Sequence, residues 1–443
     1  GAGEGWNMLA TLISKELAET LGSTKFRTGA VSCLVLFLIS GSLLILDFDH
    51  QMAEYNTKRL VHQKLIEQEG KDLMGYGLVQ DLPLTPLQGF FPGAQGRISK
   101  AVSFTLSYEP EQVGSVEGLK VEKLFPTFSL TFLFTILMPL VAALLAHGLI
   151  CREKQQGTLR LIMANSVPRS YLVWAKWLGG FLPLFLILSV CSLGVLVEIR
   201  LMARNFSLAG QESQLLLIFL TAVLLLSVFF TFGLMVSSLC HHSANALVGT
   251  LAGWLAFSFL VPSLGAYLAE TWSPLPSVHE ITNQKLQIAR NYDEKEHAIS
   301  HMRLEEWGPY LEKIGKEMDE EHRKLDEWFA QQLSNQVRLA RHLTLISPVS
   351  AGTYLLTDLV GTGINKEQVL VQALRRYWEQ FKHFHIVEIG RRTVDPQWYA
   401  SHLPPFRVSI GSEIGLHYFA LLVLFNILFS IITHRAFLRY EVV

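Results

Sequence analysis

Six separate stretches of the chain are mostly apolar over about twenty residues, the length at which a helix crosses the roughly 30 Å hydrocarbon layer of a bilayer. They run over 29–47, 127–150, 177–197, 214–236, 244–268 and 413–433. A bilayer holds no water to satisfy backbone N–H and C=O groups, so each crossing segment must be a helix and the membrane fold is predicted to be all-α. Composition agrees, since only 17% of 443 residues are charged, against about 25% in a soluble domain. The 37 Lys+Arg and 38 Asp+Glu leave a net charge of −1, without the basic footprint of a nucleic-acid binder. Aromatic residues at 11% exclude a solvated, disordered chain. Pro139, Pro183 and Pro262 fall inside spans, where kinks or breaks are expected. Cys33, Cys151, Cys191 and Cys240 stand singly in or beside apolar blocks with no CxxC. They read as small buried hydrophobes rather than a disulfide framework.

The short loops orient the spans. Between the second and third lie Arg152, Lys154, Arg160, Arg169 and Lys176, opposed only by Glu153. The tail, 434–443, adds His434, Arg435 and Arg439, and the N-terminal flank has Lys15, Lys25 and Arg27. Six spans put these three segments on one side, and the excess of basic residues predicts that this side, with both termini, is cytoplasmic. The first span reads as an uncleaved anchor, because no small-residue cleavage site succeeds its apolar run. Residues 1–7 differ in character from the rest of the chain and read as an expression remnant before Met8.

Segments 48–126 and 269–412 must then both lie outside, where two insertions build a mainly helical α+β extracytoplasmic domain. In the first, 52–73 is polar and helix-favouring, so the first span is expected to continue outward. The stretch from Pro83 to Gly96 is rich in Pro and Gly and reads as loop. Val102, Phe104, Leu106 and Tyr108 alternate with polar residues as a strand would. The second insertion holds a long charged helical stretch over 279–342, with Gly308-Pro309 as the expected interruption. Beyond it Ile314, Met318, Leu325, Phe329, Leu333 and Val337 form one apolar stripe. Some 34 residues make a rod of about 50 Å. This is either an arm that docks a partner or lines an exit path, or a hairpin packed on its own outer domain. Smaller helices are expected over 348–359 and 366–384.

The loop over 151–176 reads Cys151-Arg152-Glu153-Lys154-Gln155-Gln156-Gly157-Thr158-Leu159-Arg160-Leu161. Pro168-Arg169-Ser170 and Ala175-Lys176 come after it. A short helix, a turn and re-entry into lipid after Lys176 are expected, an element suited to transmitting force. The pattern resembles the ABC-2 type permease family, the membrane subunits of many bacterial ABC exporters. There the loop reads roughly Glu, three residues, Gly-Thr-Leu, a Pro-x-Ser-Arg-like turn and Gly-Lys. Glu153, Gly157, Thr158, Leu159, Arg169 and Lys176 match, whereas Pro168 stands directly beside the arginine and Ala175 replaces the glycine. Residues 8–28, with Lys15-Glu16, resemble the family's interfacial elbow helix, and 237–246 resemble its bend between spans four and five. The resemblance covers all six spans and implies a type V exporter-like fold. The large insertions, with Ile346-Ser347-Pro348 and Gly361-Thr362-Gly363, resemble the branch that carries a domain of unknown function, DUF3526.

The resemblance implies a non-catalytic permease subunit in the bacterial inner membrane, driving export or extraction of a substrate. Arg152, Glu153, Gly157, Thr158, Leu159, Arg160, Pro168 and Arg169 would be its ATPase-coupling residues. ATP and Mg would be held by a dimer of separate ATP-binding subunits, and no cofactor is expected in this chain. The sequence has no GxxxxGK[ST] phosphate loop. A second permease subunit, identical or a sister, would complete the pair, and a periplasmic or outer-membrane partner suits the large outer domain. The alternative is mechanotransmission, in which the outer arm works on such a partner and nothing crosses the bilayer.

Other chemistry finds less support. His297 and His301, with Glu296 and Glu305 near, have a spacing that can hold a metal, but a solvated helix face explains them as well. His241-His242 suits a helix terminus, and His383 with His385 is a weak ligand spacing. There is no HExxH and no GxSxG, so neither a metal site nor a catalytic residue is predicted. His147, Glu198, Glu413 and His417 lie near span ends, either lining a translocation path or simply reaching water.

Overall fold

The computed structural model describes residues 2–70, 77–82, 84–91, 101–105, 111–113, 129–164, 168–299, 304–363, 365–389, 394–406 and 415–439. Among them are six helices long and apolar enough to cross a membrane: Thr24–Glu69, Leu130–Gln156, Arg169–Met202, Glu212–Leu239, Ser243–Trp272 and His417–Leu438. The fold is an all-α polytopic membrane protein. It divides into two compact units, Gly1–Trp254 with Ala351–Val443, and Leu255–Ser350.

The first unit opens with α1 (Ala2–Gly22). Ser23 then caps α2 (Thr24–Glu69), its hydroxyl accepting from the Phe26 amide at 3.1 Å. At 1.5 Å per residue α2 is about 70 Å long, more than twice the hydrocarbon thickness. Its membrane part exposes Val31, Val35, Ile39, Leu43 and Leu46, a surface suited to lipid.

The first insertion holds a three-stranded antiparallel sheet, β1 (Leu78–Asp81), β2 (Ala101–Phe104) and β3 (Glu111–Val113). A short helix, α3 (Pro86–Phe90), falls in the Pro/Gly-rich stretch read as loop. The alternation in β2 puts Val102 and Phe104 fully inside, whereas Leu106 and Tyr108 lie outside the described residues.

The second span is α4 (Leu130–Phe132), a π-helical turn over Leu133–Leu137, and α5 (Met138–Ala146). Pro139 comes directly after that turn. Proline has no N–H and its ring crowds the carbonyl four residues back, so the wider i→i+5 turn relieves the clash. Next come α6 (Cys151–Gln156), α7 (Thr158–Ala164), α8 (Arg169–Met202), α9 (Glu212–Leu239) and α10 (Ser243–Leu255). Pro183 is accommodated inside α8. Spans two and four are the most enclosed, and five and six the least.

In the second unit a π-helical turn over Ala256–Leu260 again precedes a proline, Pro262, at the start of α11 (Val261–Trp272). Then α12 (Val278–Ile299) and α13 (Leu304–Thr344) pair. Tyr292 and Ile314 are buried together with Ile288 and Met318 beside them. Lys285 meets Asp326 at 2.8 Å, and the Tyr292 hydroxyl donates to Glu321 at 3.1 Å. Gly308-Pro309 does not interrupt the long helix, because α13 begins at Leu304 and runs through both. Pro309 is the sixth residue of α13, past its unpaired first-turn amides, so the helix runs through it with one early hydrogen bond forgone.

Four elements complete the chain: α14 (Pro348–Val360), α15 (Asn365–His383) with a π-helical turn over Phe384–Ile389, α16 (Pro396–His402) and α17 (Leu416–Leu438). Within the first unit Gly352 of α14 lies against Leu225, the middle of α9. The two insertions share one core there. Leu78, Leu82, Val102 and Phe104 from the sheet pack on Leu370, Leu374, Tyr377 and Phe381 of α15. The Phe104 and Tyr377 rings meet edge to face at 4.8 Å. Each such buried side chain stabilises by about 1.5–3 kcal/mol relative to exposure.

Candidate functional site

The loop between the second and third spans folds as two short helices hinged at Gly157. This residue ends α6 with φ of 74°, the left-handed conformation in which a Cβ is strained. A side chain there would meet nothing within 4 Å, so backbone conformation, not space, demands glycine. Leu159, on the first turn of α7, is buried and anchors that helix. Pro168 precedes α8, its carbonyl accepting from the Tyr171 amide at 2.9 Å.

Three elements meet at one side chain. Lys176, in the second turn of α8, is 1% exposed. Its Nζ lies 2.9 Å from Glu16 Oε1 of α1 and 2.7 Å from Glu153 Oε1 of α6. An unpaired buried ammonium would cost several kcal/mol, so the two carboxylates are what allow it there. One turn on, a Cβ at Gly179 would stand 2.5 Å from Glu16 Cβ and 3.1 Å from the Ile13 carbonyl. Glycine lets α1 come close enough for Glu16 to reach. Glu153 Oε2 is buried with no hydrogen-bond partner among the described residues.

Further bonds tie the same loop to the ends of other helices. Ser237 Oγ, in the last turn of α9, accepts from the amides of Ile150 and Cys151 at 3.1 and 3.0 Å. Those are first-turn donors of α6 that would otherwise be orphaned. Lys154 Nζ donates to the Ser238 carbonyl. Gln155 Oε1 accepts from the Ser243 amide at the start of α10 at 3.2 Å. Arg169 Nη1 donates to the Leu438 carbonyl at the end of α17 at 2.6 Å. These contacts tie α6 to α8, α9 and α10, and through Lys176 to α1. The face left open carries Arg152, Gln155, Gln156 and Leu161, the last 70% exposed. The side chain of Arg160 lies outside the described residues.

A second polar cluster joins α8, α9 and α17. Trp177 Nε1 donates to Thr231 Oγ1 at 2.8 Å, Thr231 Oγ1 lies 2.9 Å from Asn426 Oδ1, and Asn426 Nδ2 donates to Ser227 Oγ. Neither this cluster nor the Glu16 contact was foreseen from the sequence. The signal for the latter was present, since a lysine directly before an apolar span needs a counter-charge.

The described span-end residues, His147, Glu198 and His417, each have a local partner of their own. His147 is buried, with Nδ1 against its own helix at the Leu144 carbonyl. Glu198 lies about 33 Å along α8 from Lys176 and accepts from Ser42 Oγ of α2 at 3.1 Å. His417 is exposed and lies against the Tyr418 ring. Glu413 lies outside the described residues, as do the side chains of Glu296, His297, His301 and Glu305. His385 is buried with Nδ1 on the Phe381 carbonyl and Nε2 on the Tyr399 hydroxyl, both at 2.8 Å, whereas His383 is exposed. Burial pushes the Tyr399 phenol well above its ordinary range, so it stays a neutral partner. Among the described residues no three His, Cys, Asp or Glu side chains are placed to hold a metal.

Compared with known families, residues 10–441 match the one described as ABC-2 family transporter protein. No curated protein matches the chain.

Proposed function

The chain belongs to the ABC-2 transporter family, and from that premise we propose that it is the permease subunit of a bacterial ABC exporter, driven by a separate ATP-binding subunit. Two such ATPase subunits, carrying ATP and Mg, would close on each other, and two permease subunits would span the inner membrane. In this reading α6 and α7 form the coupling element, with Arg152, Gln155, Gln156 and Leu161 facing the ATPase. The termini are cytoplasmic, and the two insertions form the periplasmic domain of the DUF3526 branch. No residue of this chain performs bond chemistry.

The observation that carries the reading is the fastening of α6 through buried Lys176 to α1 and α8. Force arriving on a loosely attached loop would be dissipated, whereas here it reaches a span at once. Lys176→Met and Gly157→Trp are expected to leave ATP hydrolysis by the co-purified ATPase subunit running while substrate export falls by at least tenfold. The assay pairs ATPase with transport in inverted vesicles. Purification of the tagged chain without any ATP-binding protein would overturn the proposal.

Mechanotransmission is a second reading, supported by the paired α12 and α13, a long helical pair tied by the Lys285–Asp326 contact. Removing the tip around 290–315 separates the two. Vesicle transport that the deletion leaves unchanged, with retained ATPase, would sink mechanotransmission, whereas an intact chain that moves nothing across vesicles and loses a partner-dependent effect on deletion would favour it.

A further inference from the structure

The last turns of α13 change character. From Trp328 to Thr357 the sequence has no Asp or Glu, yet it carries Arg338, Arg341 and His342. The depth of these residues can be read from α11 within the same unit. Gln336 Nε2 donates at 2.8 Å to the carbonyl of Ser273, the C-cap of α11. Eight residues farther along each helix, Thr344 lies against Gly265. The helices thus run antiparallel in step, and beyond them Ser347 Oγ donates to the Phe257 carbonyl, the middle of the fifth span. The end of α13 is sunk into the apolar part of that span.

In this register Arg338, Arg341 and His342 stand level with the stretch from Thr271 to Tyr267. Tyr267 and Trp272 are 64% and 62% exposed, and exposed Tyr and Trp at the end of a span mark the headgroup level. Arg338 and His342 are one turn apart on one exposed face, with Arg341 half-buried beside them. Arg338 spends one donor on Asn335 Oδ1 at 2.6 Å. The carboxylate of α11 at this level is Glu270, itself exposed. Ile346, 63% exposed, continues into the acyl region. Cationic donors at headgroup depth above an apolar residue match a molecule with a phosphate at one end and acyl chains at the other.

We infer that the end of α13 binds the headgroup phosphate of an anionic phospholipid through Arg338, Arg341 and His342, with Ile346 against its chains. The inference requires insertion of the fifth span and is independent of any ATPase partner. The test reconstitutes the full chain in phosphatidylcholine vesicles containing a photoactivatable phosphatidylglycerol and maps the labelled peptides by mass spectrometry. Labelling should concentrate over 333–350 and fall roughly fivefold for each arginine removed in Arg338→Gln and Arg341→Gln. Equal labelling by a photoactivatable diacylglycerol, with the same chains and no phosphate, overturns the inference. So does undiminished labelling of the double variant. Displacement of the label by excess inorganic phosphate would reassign the site to a free anion and also overturns it. Arg338→Lys with Arg341→Lys keeps the charge and should keep most of the label, and its loss there counts against the site. Arg323→Gln, higher on the same helix, should change nothing.

Discussion

Two regions put positive charge next to apolar helices and resolve it in opposite ways. At Lys176 the chain supplies its own counter-charges, Glu16 and Glu153, and shuts the group away from solvent. At the end of α13 Arg338 and His342 are exposed, and from Trp328 onward that helix carries no acid. An internal ion pair fixes helices to one another, because separating them would strand a buried charge. An external one leaves its partner to be provided by the surroundings. The first arrangement suits a joint that must transmit motion, and the second suits a surface that must meet something else.

Perturbing the joint should have the larger effect. Lys176→Met leaves two carboxylates buried without a cation, and a loss of about 3–5 kcal/mol is expected, read as a lowered unfolding midpoint in detergent. Adding Glu16→Gln and Glu153→Gln to that variant should recover most of the loss. If it does not, packing rather than charge holds α1 to α8. Next in size is Gly157→Ala, for which a non-glycine residue in the left-handed region costs about 1–2 kcal/mol. Its effect should appear more strongly in coupling than in thermal stability. Ser237→Ala removes the acceptor shared by two α6 amides and should cost about 1–3 kcal/mol, measurable as faster hydrogen exchange at Ile150 and Cys151. Least of all, Arg338→Gln should leave stability within about 0.5 kcal/mol, since its role would be played outward. A large destabilisation there would collapse the contrast between the two regions.

Much of the membrane architecture was legible because it rests on length and hydropathy alone. Six apolar stretches correspond to six helices, and the glycine that ends α6 stood out within its loop. What was hidden depends on contacts between residues distant in sequence. Glu16 and Lys176 are separated by 160 positions, and no local pattern pairs them. The insertions share a core through Phe104 and Tyr377, which two separate amphipathic patterns cannot announce. β1 and β3, Leu78-Val79-Gln80-Asp81 and Glu111-Gln112-Val113, carry no apolar–polar alternation in their sequences, whereas Val102 and Phe104 in β2 showed it. Gly308-Pro309 misled in the other direction, because a proline's local preference for a helix start was outweighed by an earlier start at Leu304.

The uninterrupted α2 has a mechanical consequence. From Asp47 to Glu69 it continues about 33 Å past its apolar part, and its far end is held by the Ile66 contact to the shared core and by Gly70, beside which Pro396 stands. A rigid helix of that length is a lever with its fulcrum at the bilayer surface. A tilt of about 5° in the membrane swings its tip by about 3 Å, enough to shift the sheet by most of a strand spacing. Small rotations within the lipid would therefore be felt as large strokes at the end of the helix, without any joint in between.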